Sequence, residues 1–196
     1  RGYVQQLKTK GYKILQKVAF VMILCEKKEL SEYELSEVLT EEEFQIAIHF
    51  SIFKRDASKL MYSFEHIAFK EFLMAEFLIS ISENEVVKLI FYPESNKLIK
   101  SWYNIVLLFL ELLQDIPEKF QSIIDTLIEN DNHVIIDASP KFLSKNNRVE
   151  IFKKIYNFYK KKGLDIVYEF KKKLMTFANY SETILFLVEQ LKSDGT

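Results

Sequence analysis

The stretch Tyr62–Leu78, YSFEHIAFKEFLMAEFL, constrains the fold more than any other part of the chain. It begins inside a run suited to a strand, Leu60-Met61-Tyr62-Ser63-Phe64, and turns at Glu65-His66 into a helix expected to last to about Ile79. At about 100° per residue, Lys70, Glu71 and Glu76 point in three separate directions, and Phe69, Phe72, Leu73, Ala75, Phe77 and Leu78 fill the gaps. A helix apolar nearly all round is buried by neighbours on several sides. The segments before and after it are therefore both expected to pack on it, which makes it the joint of the molecule.

Composition narrows what those neighbours are. Four Gly and three Pro in 196 residues are too few for an all-β fold with its many turns, and favour helices joined by short loops. With 48% hydrophobic and 28% charged residues the chain is of globular rather than disordered type, long enough for one large or two small domains. The formal net charge of −1 lacks the excess of Lys and Arg that a nucleic-acid binder uses against phosphates. The runs Lys153-Lys154, Lys160-Lys161-Lys162 and Lys171-Lys172-Lys173 sit among apolar residues at helical spacing and read as solvated helix faces. Cys25 is the single cysteine, so an intramolecular disulfide is ruled out; its apolar helical setting reads as a buried structural thiol. The apolar runs Val18–Cys25 and Ile105–Leu113 fall short of the roughly 18 residues that span a bilayer. No signal peptide is recognisable, so no membrane is expected and the location expected is cytoplasmic. The chain opens Arg-Gly-Tyr and is helical almost at once, the expectation for a piece of a larger protein.

Taken in order, Gln5–Glu26 has helical apolar spacing, with Gly11 as a candidate break. Ser31 with Glu34, and Thr40 with Glu43, are capping boxes opening two short helices. Ile52–Phe64 holds two apolar stretches around a polar turn at Asp56–Lys59, a β-hairpin. Three helices followed by a hairpin is the layout of a winged-helix domain, placed at residues 1–81. From residue 82 the texture is serially helical. Ser82 and Glu85 cap a short helix, Lys97–Leu113 is strongly apolar, and Pro117 opens another helix. Asp131–Asp137 is ambiguous, Ser139-Pro140 starts a turn, and Arg148–Lys162 is an amphipathic helix stopped by Gly163. Asp165–Phe177 and Ser181–Lys192 complete the series. The fold expected is mainly α: an N-terminal winged-helix domain with a small β-hairpin, then an α-helical, solenoid-like array at 82–196.

Chemistry-bearing motifs are scarce. The four glycines form no phosphate loop, and His49, His66 and His133 are too far apart for metal-ligand spacing. No carboxylate pair stands out as acid and base, so this chain by itself is not expected to be an enzyme, nor to hold a cofactor or metal. His66 is the residue to weigh. It lies where the strand ends and the helix begins, and a helix N-terminus suits phosphate through its free N–H groups and partial positive charge. The plainer reading is a capping or core histidine satisfied by nearby backbone.

Phe64-x-His66-x-x-Phe69-x-Glu71-Phe72-x-x-Ala75 after a hairpin resembles the end of the winged-helix domain in NACHT-type STAND NTPases, whose pattern there is roughly F-x-H-x-[ST]-F-x-E-[FY]-x-A-A. Ser101-Trp102-Tyr103-Asn104 through Leu113, and Arg148-x-x-Ile151-Phe152 with Tyr156 and Tyr159, resemble the helical region downstream in bacterial members. Ala68, Lys70 and Met74 depart from the pattern. The resemblance implies a regulatory, non-catalytic segment of a protein of bacterial defence or signalling. An upstream ATPase core of the same chain, using ADP or ATP with Mg, would carry the catalysis. His66 would then sense nucleotide phosphate, and Phe64, Phe69, Glu71, Phe72 and Ala75 would form the hinge and packing motif. The helical region would meet a protein partner or a second copy. Two other readings stay open: a winged-helix DNA-binding regulator, opposed by the acidic run Glu41-Glu42-Glu43, and a helical protein-binding scaffold.

Overall fold

Each of the three capping boxes starts a helix, because its hydroxyl accepts an N3 amide while the N3 glutamate returns to the cap backbone. Labelled in chain order, Ser31 and Glu34 open α2 (Glu32–Val38), Thr40 and Glu43 open α3 (Glu41–Ala47), and Ser82 and Glu85 open α5 (Glu83–Ile90). The computed structural model describes residues 2–138 and 143–194, so the turn expected at Ser139-Pro140 lies outside the described residues. The chain is mainly helical and divides into two compact units, residues 1–81 with 100–109, and residues 82–99 with 110–196.

In the first unit α1 (Gly2–Leu24) runs through Gly11 without a break. A Cβ at Gly11 would stand 2.3 Å from the Phe50 ring, so the glycine serves close approach rather than bending. The helix is closed by a turn just beyond Leu24, where Glu26 takes a left-handed φ of 52° and the Lys27 N–H donates to the Met22 carbonyl at 2.7 Å. Cys25 falls in this turn and is exposed, which corrects its reading as a buried thiol.

Leu30-Ser31 forms a two-residue strand, β1, that the sequence did not announce. With β2 (Phe53–Asp56) and β3 (Met61–Phe64) it makes an antiparallel sheet in the order β1-β3-β2, Leu30 facing Tyr62 and Phe53 facing Phe64. Helix, strand, helix, helix and hairpin with this strand order is winged-helix topology. The hairpin turn is held by the Asp56 carboxylate, which accepts from the Ser58 amide at 2.9 Å. Aromatic packing fixes the sheet on the helices. Phe44 meets the Tyr62 ring edge-on at 5.4 Å, and Phe53 lies 5.4 Å from Phe64. The helix α4 (Ile67–Ser80) packs on α1, where Phe20 meets Phe77 at 5.4 Å and the Gln16 side-chain amide donates to the Leu73 carbonyl at 3.3 Å.

In the second unit α5 leads to an isolated bridge between Phe91 and Leu98. The boundary between units falls within α6 (Tyr103–Leu113), which comes after a 3-10 turn at Lys100–Trp102. Then come α7 (Pro117–Asn130), opened by its proline, and α8 (His133–Ile136), which resolves the ambiguous stretch as one short turn of helix. After these, α9 spans Lys145–Lys162, α10 spans Tyr168–Phe177 and α11 spans Ser181–Asp194. Alternate helices meet: α5 with α7, α7 with α9, and α9 with α11, an array built on side-by-side neighbours. Gly163 closes α9 at φ 62°, and the Leu164 N–H donates to the Tyr159 carbonyl at 3.0 Å. That closure leaves Leu164–Val167 irregular, so α10 begins at Tyr168 rather than at Asp165. The lysines of 160–162 and 171–173 are exposed, as solvated faces should be. No helix among the described residues is long and apolar enough to cross a membrane.

Candidate functional site

The hairpin delivers the chain to His66 with little freedom. The Glu65 N–H donates to the Ile52 carbonyl at 2.8 Å, extending the ladder beyond Phe64, and Lys54 forms an ion pair with the Glu65 carboxylate. That pair holds the Glu65 carboxyl below its usual range. His66 is the N-cap of α4, in extended backbone with φ −132° and ψ 141°. Its carbonyl accepts the Phe69 N–H at 3.1 Å, but its side chain makes no capping hydrogen bond. The imidazole is exposed and stands 5.8 Å from the Phe69 ring. His66 is thus neither a capping side chain nor a core histidine.

Burial in α4 changes along the helix instead of around it. Leu73, Met74, Ala75 and Leu78 are at most 2% exposed, whereas Ile67 is 63%, Phe72 40% and Phe69 36% exposed. The expectation of burial on several sides therefore holds for the C-terminal part and is corrected for the first turns. Of the expected packing residues, Phe64 and Ala75 are buried, and Phe69 and Phe72 are not. Glu71 accepts a hydrogen bond from the Asn104 side-chain amide at 3.0 Å, tying α4 to the start of α6. Lys70 is half-buried, its amine donating to the Lys27 carbonyl at 3.4 Å, and burial lowers its pKa. Glu76 has one carboxylate oxygen buried without a partner, and burial raises its pKa.

At the start of α4 His66, Ile67, Phe69 and Phe72 are exposed, with the His66 ring beside that of Phe69, while Phe64 and Ala75 are buried on either side of these turns and Glu71 is held by Asn104. Ile67 carried no separate signal in the sequence, because an apolar residue in an apolar helix reads as core. Elsewhere His49 sits against the Gln45 carbonyl and His133 against the Phe170 ring at 4.5 Å. Among the described residues no group of three or more His, Cys, Asp or Glu is placed to hold a metal ion. The helix α3 carries Glu41, Glu42 and Glu43 in its first turn, with Glu42 and Glu43 paired to Lys10 and Lys17. An acidic start to the helix that would enter a DNA groove opposes phosphate contact there. No family model, curated protein or solved structure matches this chain.

Proposed function

We propose that this chain is a non-catalytic regulatory segment of a NACHT-type STAND ATPase in bacterial defence or signalling, coupling the nucleotide state of an upstream core to the helical unit. The observation that carries this reading is His66, an exposed imidazole at the N-terminus of α4 that makes no capping bond and whose ring neighbour is Phe69. An imidazole open to solvent beside the positive end of a helix suits a phosphate oxygen. The exposed Phe69 beside it, with Phe72 one turn further along the helix, supplies the apolar surface against which the core would seat, excluding water from that contact. The hydrogen bond from Asn104 to Glu71 then ties the same helix to the start of α6. In this reading catalysis, ADP or ATP and Mg belong to the core, the protein works in the cytoplasm, and this segment reports which nucleotide is held.

The intact parent protein provides the test. His66→Ala should release the closed state, so that the ADP-loaded protein oligomerises or signals without its trigger. An ADP-loaded His66→Ala protein that stays closed and silent would sink the sensor role.

A further inference from the structure

The helical unit contains a buried guanidinium that makes no ion pair among the described residues. Arg148, on α9, is 6% exposed. Its Nη1 donates to the Tyr180 hydroxyl at 2.9 Å, and its guanidinium carbon lies 4.8 Å from the Phe177 ring centre and 5.6 Å from that of Tyr180. Its Nε is buried with no acceptor. Arginine stays charged at any working pH, and a charge withdrawn from water is normally paired with an acid or fully hydrogen-bonded. Aromatic faces offset part of that cost, but a neutral hydroxyl and two rings leave the charge unmatched.

Arg148 forms part of the wall of a cavity of about 530 Å³. The other charged and polar wall residues are Lys172, Lys173, Thr176, Asp137 and Glu169. Asp137 is engaged with Lys173 at 3.1 Å, and neither acid forms an ion pair with Arg148. Three basic side chains, Arg148, Lys172 and Lys173, thus share the wall with two acidic ones, Asp137 and Glu169, and with the Thr176 hydroxyl. Ile136, Ala138 and Phe177 give the remainder an apolar lining. The volume lies in the range of small-molecule sites, and a planar guanidinium with donors to spare is the side chain suited to a carboxylate or phosphate.

We propose that this cavity binds the oxyanion group, carboxylate or phosphate, of a small organic ligand, with Arg148 and Lys172 as its charged contacts and the apolar wall holding the ligand's carbon part. The site lies within the second unit and is independent of the nucleotide-coupling role of His66.

The chain has three arginines, Arg1, Arg55 and Arg148, so its side-chain Nε–H resonances are few enough to follow one by one. Inorganic phosphate and glutarate are titrated separately into the protein at constant ionic strength. Binding predicts a saturable shift of the Arg148 resonance, with Arg55 unmoved, and a dissociation constant of about 1 mM or tighter. Lys172→Ala, a change at an exposed position, should weaken that binding at least about tenfold without altering the fold. Saturation by phosphate alone assigns a phosphate ligand, and saturation by glutarate alone a carboxylate. The proposal is overturned if neither anion saturates the Arg148 shift, if Arg148 and Arg55 move together, or if Lys172→Ala binds as the unaltered protein does.

Discussion

At Gly11 the absence of a side chain is the stabilising feature. The Phe50 ring occupies the space where a Cβ would go, at 2.3 Å. Gly11→Ala gains about 1 kcal/mol of helix propensity in isolation but must displace that ring. The substitution is expected to destabilise the protein when Phe50 is present and to stabilise it in a Phe50→Ala background. Urea unfolding of the four proteins in that cycle reads the change of sign directly. Glu76 gives a second prediction at this scale. Burial raises its native pKa, so the unfolded chain ionises first and stability falls as pH rises from the ordinary carboxylate range through the native value. Glu76→Met removes the orphaned oxygen and should raise stability at pH 7 by about 1 kcal/mol. The gain should shrink as the pH is lowered and the native carboxyl becomes neutral.

Among the elements, the short helices depend on their caps, since α2 and α3 have only seven residues each. Ser31→Ala and Thr40→Ala are each expected to cost about 1 kcal/mol by thermal or urea unfolding. The α2 box also carries an acid-dependent contribution. Glu34 is held down to about 2 from an ordinary 4.5, first by the Lys27 amine and then by Ser31. A depressed native pKa gives stability that is complete above the unfolded value and is lost as pH falls from 4.5 towards 2. Glu34→Gln should accordingly flatten the loss of stability across that window. The boxes were legible because they are local, made by residues three apart. So were the hairpin and the Gly163 stop. The strand β1 was not, because Ser31 is already used as a cap and a two-residue strand is defined only by its partner β3. The unbroken α1 and the exposure of Cys25 also turn on distant or backbone facts, the Phe50 ring and the left-handed Glu26.

For the whole molecule, the winged-helix layout was readable from element order, and His66 stood out by its place between strand and helix. Which part of α4 is open was not readable. Phe69 and Phe72 have the same hydropathy signature as buried residues, and only the packing of α1 against the later turns separates them. Arg148 is the converse case, a charged residue on the apolar face of Val149, Ile151, Phe152 and Ile155, whose burial emerges only once α10 and Tyr180 are in place. The exposed cluster at His66 is the part of the surface the proposed coupling requires. Because His66 makes no capping bond and lies in solvent, His66→Ala should change the stability of this chain by no more than about 0.5 kcal/mol. Any larger effect on nucleotide must then come from a contact with the proposed upstream core. The deciding measurement is the ADP affinity of the proposed parent protein, by calorimetry, for the unaltered protein, His66→Ala and the control His49→Ala. A phosphate contact predicts at least about a tenfold loss for His66→Ala and none for His49→Ala, whereas equal ADP affinity in all three proteins would contradict it.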